Sequence, residues 1–137
     1  MSDNKNIVKR FNQDFIANVK MDAFNDLISP DFINHTAPPG SPTNKEAFLA
    51  FFNNVLRTAF SDIRIEIHDQ IEENYKVVTR KTIRCTHSGV FMGHPPTGRP
   101  LEIKVTDIVR LEHGQYVEHW GSADMLGAIA QITAPAI

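Results

Sequence analysis

The hydrophobic period of the chain changes near residue 61, and this change limits the fold more than any other feature. Before it, apolar residues recur every three or four positions, which predicts helices at about 3–19, 22–28 and 43–60. After it, apolar and polar residues alternate through 63–67, which is typical of a half-buried strand. Helices followed by a run of strands predict an α+β fold. We expect one curved antiparallel sheet with the N-terminal helices across its concave face, forming a cone with a pocket at its wide end.

The other expected elements follow from turn residues and apolar runs. A capping box, Thr43-x-x-Glu46, is expected to open the longest helix. Three prolines and a glycine between residues 37 and 42 indicate a loop. The remaining segments are a short extended piece at 32–35, strands at 77–92, 101–111 and 116–123, and a last helix at 125–132.

Length, charge and cysteine count exclude several classes of protein. A chain of 137 residues predicts a single domain, residues 1–137. The net charge of -2, without a basic stripe, argues against a nucleic-acid partner. No apolar run approaches the ~18 residues of a membrane span, and the first residues lack a signal peptide. With a single cysteine, Cys85, which cannot form an internal disulfide, these features predict a cytoplasmic protein.

Neither a metal site nor a nucleotide loop is predicted. The six histidines form no H-x-H or H-E-x-x-H spacing. The glycines form neither the G-x-G-x-x-G loop nor the G-x-S-x-G elbow.

A hairpin at His113-Gly114 would set which side chains share the pocket. A two-residue turn there places Leu111 opposite Tyr116 and Asp107 opposite Trp120. The face that carries Asp107 would then also carry Tyr116, Glu118, Trp120, Ser122 and Asp124. Such a face combines apolar groups with a few carboxylates, as small-molecule sites do. A slip of one residue would exchange Trp120 for His119.

Several motifs together resemble the SnoaL-like polyketide cyclase (ester cyclase) family. The resemblance covers about residues 7–132 and implies a cone-shaped α+β barrel of the nuclear-transport-factor-2 type, also called cystatin-like. It also implies a homodimer and a ring-closing aldol reaction with no metal or cofactor, in which an acidic residue acts as acid and base. The motifs are Phe32-Ile33-Asn34-His35, Phe60-Ser61-Asp62, Thr86-His87-Ser88-Gly89, Pro95-Pro96-Thr97-Gly98, Asp107-Ile108-Val109-Arg110, Gly114, Glu118-His119-Trp120 and Asp124-Met125-Leu126-Gly127.

The resemblance matches Asp124 by position to the acid/base aspartate of the family. The chain departs from the family pattern at Gly121, where the family commonly has Asp, and at Gln131-Ile132-Thr133, where it often has Gln-Leu-Gly. The first departure removes one polar group near the site.

Four residues are candidates for catalysis, and each has a structural alternative. Asp124 is the candidate acid/base, or an N-cap of the last helix. Asp107 is a second candidate acid/base, or half of a buried ion pair. His35 and His87 would orient the substrate or stabilise an enolate. The alternative for His35 is a surface loop residue, and the alternative for His87 is a core histidine. The predicted substrate contacts are Trp120, Phe51, Phe52, Phe91 and Ser122.

Three functions are compatible with these residues. The first is a cofactor-independent cyclase or isomerase that acts on a small hydrophobic carbonyl compound, or a hydrolase of the epoxide-hydrolase kind if the same groups activate water. The second is a binding module without catalysis that holds a small apolar ligand. The third is a dimeric interaction domain with a vestigial pocket. The expected partners are a small hydrophobic molecule and a second copy of the chain, but neither nucleic acid nor membrane.

Overall fold

The computed structural model describes residues 3–135, and the α+β prediction is confirmed. Helices precede the main run of strands, and a final helix follows it. Two of the helices contain π-helical segments, which widen the helix by one residue per turn. The elements are α1 (Asp3–Arg10), a first π segment (Phe11–Ala17), α2 (Met21–Leu27), β1 (Ile28–Asn34), α3 (Lys45–Phe51), a second π segment (Phe52–Leu56), α4 (Arg57–Ala59), β2 (Phe60–Glu73), β3 (Lys76–His87), β4 (Pro100–Glu112), β5 (Gln115–Ala123) and α5 (Met125–Thr133).

The five strands form one sheet in the order β1-β5-β4-β3-β2. Strands β2 to β5 pair antiparallel with their sequence neighbours, as predicted. The prediction of a wholly antiparallel sheet is wrong, because β1 pairs parallel with β5. Parallel pairing is possible here because β1 and β5 are distant in sequence and no hairpin joins them. The sheet is therefore mixed, and β1 and β2 form its two edges.

Aromatic rings fill the space between the N-terminal helices and the inner face of the sheet. The Phe11 ring lies 4.8 Å from Tyr116 of β5 and 6.0 Å from Phe52, measured between centroids. Phe15 packs edge-on against Phe52 at 5.3 Å. Each such pair contributes about 0.5–1.5 kcal/mol beyond the burial of its area. These rings pack the helices against the sheet. They therefore limit the depth of any pocket between the helices and the sheet.

Some predicted boundaries differ from the observed ones. Asn44, not Thr43, caps α3, and its Oδ1 accepts a hydrogen bond from the Ala47 amide at 3.0 Å. The strand predicted to reach residue 92 ends at His87, because the chain turns away there to pack against the end of α4.

The predicted register of the β4–β5 hairpin is wrong beyond its first pairs. Leu111 does oppose Tyr116, but Arg110 opposes Glu118, so Val117 is an extra residue. This β-bulge shifts the pairing by one position, so Asp107 lies opposite Gly121 rather than Trp120. Since side chains alternate between faces, the shift exchanges the two faces of β5 beyond the bulge.

Candidate functional site

A buried cluster of polar side chains lies on the inner face of the sheet. Lys81 of β3 and Asp107 of β4 form an ion pair, with Lys81 Nζ 3.0 Å from Asp107 Oδ2. Their side chains are only 4% and 8% exposed. Lys81 Nζ also donates to Asn12 Oδ1 at 2.6 Å. Two buried charges are thus paired and hydrogen-bonded, which is the condition for keeping them inside a protein.

Asn12 reaches this cluster from the first π segment. Its Nδ2 donates to the Val8 carbonyl at 2.8 Å, so its Oδ1 is left to face Lys81. The π segment buries Asn12 together with the neighbouring Phe11 and Phe15. The helix therefore contributes one polar acceptor to the buried cluster.

Asp107 is held in its ionised form. Burial by itself would raise the pKa of Asp107, but the Lys81 ammonium, together with His119 when its imidazole is protonated, outweighs that effect and lowers the pKa from 3.8 to about 2. The same carboxylate adds to the effect of burial in raising the pKa of Tyr116 well above its ordinary value. Because its pKa is low, Asp107 is a weak base at neutral pH. Its negative charge acts mainly on the side chains next to it.

His119 brings an imidazole from β5 to the ion pair. Its Nε2 lies 3.8 Å from Asp107 Oδ2, and its ring centroid lies 5.4 Å from that of Phe48. Its Nδ1 lies 3.0 Å from Asn34 Oδ1, which also accepts from the Thr36 amide. Because Asn34 Oδ1 is an acceptor, Nδ1 carries the proton and Nε2 of the neutral ring is free to accept one.

His119 is also the member of this cluster that reaches the surface. Its side chain is 16% exposed, about twice the value for Asp107. The adjoining position on the inner face is Gly121, which is half-buried. A Cβ atom there would lie 2.9 Å from His119 Cε1, so glycine leaves the space that this ring occupies.

The arrangement is suited to proton transfer. A neutral imidazole with a free Nε2 can take a proton, and an adjacent carboxylate stabilises the imidazolium that results. Lys81 keeps that carboxylate charged. We refer below to Asn12, Lys81, Asp107 and His119 as the inner cluster.

Asp124 and Ser122, predicted to line the pocket, lie elsewhere. Asp124 is exposed and caps α5, with its Oδ1 accepting from the Gly127 amide at 2.8 Å. Both residues line a groove of about 420 Å³ on the outer face of the sheet, together with Lys104 and Thr82. Asp124 is thus the N-cap of the last helix, which was the structural alternative to its catalytic role. Its side chain does not lie in one site with Asp107.

His35 and Trp120 are together on the outer face of the sheet. Their rings stack with centroids 4.7 Å apart and an interplanar angle of 11°. His35 Nε2 lies 2.7 Å from Glu118 Oε2, and Lys76 Nζ lies 5.6 Å from the centre of the Trp120 ring. The bulge at Val117 is the reason that Trp120 faces outward, while His119 takes the inner position.

His87 is buried on the inner face, but at the other end of the strand. It lies six residues beyond Lys81 on β3, or roughly 20 Å along an extended chain. Its Nδ1 accepts from the Thr97 amide at 3.2 Å, so it holds the turn that follows Pro95-Pro96. His87 therefore does not share a site with Asp107.

The three predicted phenylalanine contacts do not form one cluster, although the Phe51 and Phe52 rings touch at a centroid distance of 5.4 Å. Phe91 is buried against Phe60, at a centroid distance of 4.9 Å. Phe52 belongs to the aromatic interior, whereas Phe51 is 44% exposed on the surface of α3. None of these placements puts the three rings around one ligand.

The sequence interpretation missed three of the four members of the inner cluster. Lys81 had a readable signal, because it occupies the inward position between Thr79 and Ile83 in an alternating strand. His119 was not among the chosen site residues, but the bulge produces the one-residue slip that was named as the alternative placing it inward. Asn12 had no signal, because a polar residue inside a helical apolar stripe has no specific partner in the sequence.

Two further findings concern the described residues as a whole. Among residues 3–135, no group of three or more His, Cys, Asp and Glu side chains is arranged to hold a metal ion. No helix in the same range has the length and apolar character needed to cross a membrane.

Comparison with known proteins identifies the family and the fold of the chain. The family model of SnoaL-like polyketide cyclases matches residues 6–132. No protein of curated function is similar enough in sequence to match the chain.

Solved structures agree closely with the fold. IdmH of Streptomyces antibioticus, a candidate polyketide cyclase, is 29% identical, with a TM-score of 0.84 over 95% of this chain and 98% of that chain. A candidate SnoaL-like polyketide cyclase of Jannaschia sp. CCS1 is 25% identical, with a TM-score of 0.82 over 97% and 93%. AclR of Streptomyces galilaeus, a candidate hydroxylase, shares the fold at 22% identity and a TM-score of 0.84 over 100% and 85%.

Proposed function

The chain belongs to the SnoaL-like polyketide cyclase family, and from that premise we propose that it is a cofactor-independent cyclase or isomerase with His119 as proton acceptor. The observation that carries this proposal is the alignment of His119 Nε2, Asp107 and Lys81 at successive distances of 3.8 and 3.0 Å. The substrate class is a small hydrophobic carbonyl compound, in keeping with the aromatic interior and with the descriptions of IdmH and the Jannaschia protein.

The proposed reaction starts with removal of a proton from the carbon next to a substrate carbonyl. His119 Nε2 accepts that proton, and the two electrons of the C–H bond form an enolate. In a cyclisation, the enolate carbon bonds to a second carbonyl carbon of the same molecule, and His119 returns its proton to the new alkoxide oxygen. In an isomerisation, the proton returns to another carbon. Asp107 stabilises the imidazolium between the two steps.

Deuterium exchange tests this proposal without knowledge of the natural product. The native protein, His119→Gln and Asp124→Asn are incubated in D2O with hydrophobic aryl ketones and 1,3-diketones, and loss of the α-proton signal is followed by NMR. Because a positioned general base contributes about 10²–10⁴-fold, His119→Gln is expected to lose at least 100-fold in rate. Asp124→Asn is expected to exchange at the native rate, since Asp124 caps α5 from the outer face.

The two variants also serve as controls for one another. Each replaces one polar side chain by an amide of similar size, and circular dichroism checks that each is folded. Loss of exchange in Asp124→Asn with retention in His119→Gln would refute the role proposed for His119 and restore Asp124 as acid/base.

A second candidate function is a dimeric interaction domain with a vestigial pocket. The packing of Phe11, Phe15, Phe48 and Phe52 favours it, because these rings leave the interior largely occupied by the protein itself. This function predicts neither saturable binding of the aryl ketones nor exchange above the background rate in the native protein.

A further inference from the structure

A second groove, of about 470 Å³, lies between the N-terminal helix and β2, which is an edge strand of the sheet. Three polar side chains of the helix form one wall, and residues 67–70 of β2 form the other. At one end, Gln13 Nε2 donates to the Ile65 carbonyl at 3.0 Å. At the other end, Gln70 Nε2 donates to the Lys5 carbonyl at 3.2 Å. These two hydrogen bonds fix the spacing of the walls, so the groove is formed in the absence of a ligand.

The helical wall carries two positive charges that no side chain neutralises. Lys5 and Lys9 both line the groove and lie one turn apart on the same side of α1. Among residues 3–135, neither ammonium forms an ion pair or a hydrogen bond. Two like charges at this spacing repel each other. The groove is therefore a local concentration of positive charge on a chain whose net charge is -2.

The carboxylates near this groove are already engaged. Of the described residues that line it, only Asp69 is acidic, and its Oδ2 lies 2.7 Å from Arg80 Nε and 2.6 Å from Arg80 Nη2. Glu72 lies beyond the end of the groove, where its Oε2 accepts from Asn4 Nδ2 at 3.0 Å. Both lysines are thus left to bind an anion from solution.

The residues of the groove define the chemical class of this anion. Lysine binds phosphate as a point charge, and a phosphate monoester carries about -1.5 to -2 at neutral pH, which matches two ammonium groups. Ile67 is half-buried, packs against the core and gives the groove an apolar contact. We propose that this groove binds a small organic phosphate, with Lys5 and Lys9 on the phosphate group and Ile67 against an apolar part of the ligand. No member of the inner cluster lines this groove, so the site is separate from the proposed proton transfer.

The test compares three probes that differ in the phosphate group and the apolar part. The ¹⁵N-labelled native protein is titrated at low ionic strength with 2-naphthyl phosphate, inorganic phosphate and 2-naphthol, and affinities are taken from the amide shifts of residues 67–70. We expect 2-naphthyl phosphate to bind there at least tenfold more tightly than either other probe. Equal affinity for inorganic phosphate would mean an adventitious ion only, and no shift of these amides would mean no site. Either result would overturn the proposal.

A pair of double variants separates the groove from overall charge. Lys5→Gln combined with Lys9→Gln is expected to weaken the binding of 2-naphthyl phosphate at least tenfold. The matched control, Lys20→Gln combined with Lys104→Gln, removes the same charge outside this groove and should change the affinity less than twofold. An equal loss in both double variants would show that the ligand responds only to net charge, and would contradict the assignment.

Two further measurements complete the test. On the native protein, a tenfold increase in NaCl concentration should weaken the binding several-fold, because the lysines are accessible to salt. Binding that is insensitive to salt would refute the role of the ammonium groups. His119→Gln should bind 2-naphthyl phosphate with native affinity even though it loses deuterium exchange, so the two proposals fail independently. Loss of phosphate binding in His119→Gln would place the ligand at the inner cluster and overturn this site.

Discussion

At the scale of single residues, the account depends on Lys81 and Asp107 being charged inside the protein. A charge at either position without the other would be costly to bury, because the low-dielectric interior solvates it poorly. The sequence suggested half of this arrangement: Asp107 was a candidate for a buried ion pair, and Lys81 is that partner. The role of His119 was not predicted, since its orientation depends on a neighbour, Asn34, that is 85 residues away in sequence.

The depressed pKa of Asp107 predicts a specific loss of stability in acid. Above pH 3.8 the group is ionised in the folded and unfolded states and contributes its full stabilisation. As the pH falls towards the folded-state value of about 2, the unfolded chain takes up the proton first, so the stabilisation is lost. From the difference between these values we expect a loss of roughly 2 kcal/mol between pH 4 and pH 2.

Urea unfolding of the native protein and of Asp107→Asn at pH 5, 4, 3 and 2 checks this expectation. Other carboxylates titrate in both proteins, so the quantity to follow is the difference between their free energies of unfolding. That difference should fall with pH below 4. A difference that stays constant from pH 5 to pH 2 would show that Asp107 is not held ionised by the fold.

At the scale of elements, one extra residue decides which side chains enter the interior. The bulge at Val117 turns His119 inward and Trp120 outward. The amino-acid pattern alone could not reveal it, because the residues on both faces of β5 include apolar and polar side chains. The bounds of β4 and β5, the turn at His113-Gly114 and the final helix were predictable, since each has a strong local signal. The parallel pairing of β1 with β5 was not predictable, because no local connection joins these two strands.

A close approach between two elements explains Gly89 in the Thr86-His87-Ser88-Gly89 motif. A Cβ at Gly89 would lie 1.8 Å from the Thr58 carbonyl oxygen at the end of α4, and backbone atoms cannot move aside easily. We expect Gly89→Ala to lower the free energy of unfolding by about 1–3 kcal/mol, the usual range for overpacking. The matched control is Ser88→Ala at the exposed neighbouring position.

Chemical unfolding of these two variants measures the effect. Ser88→Ala should remain within about 0.5 kcal/mol of the native protein, as surface substitutions do. A Gly89→Ala variant as stable as Ser88→Ala would mean that the motif glycine has no steric role at this contact.

At the scale of the whole molecule, the outer face of the sheet is the surface that the helices leave uncovered. Val78, Ile108 and Trp120 are half-buried and lie side by side across three adjacent strands of this face. We propose that the protein is a homodimer, as the family resemblance implies, and that this apolar row lies in the interface. An isologous contact would place the same row on both subunits.

Sedimentation velocity tests the dimer. The native protein is expected to sediment with twice the mass of one chain at micromolar concentration, and Ile108→Glu, which places a charge in the row, as a monomer. Thr106→Ala is a control on the same strand and face. A native protein that is monomeric at 100 µM, or an Ile108→Glu variant that remains dimeric, would contradict the proposed interface.

The most direct test of the central claim is to locate the ligand on the protein. Amide chemical shifts of the ¹⁵N-labelled native protein are recorded during a titration with 2-naphthol. The account predicts that the largest shifts occur at Asp107, His119 and Gly121, on the inner face of the sheet. If the largest shifts occur instead at Thr82, Lys104, Ser122 and Asp124, the ligand occupies the outer groove and the inner cluster is only part of the core.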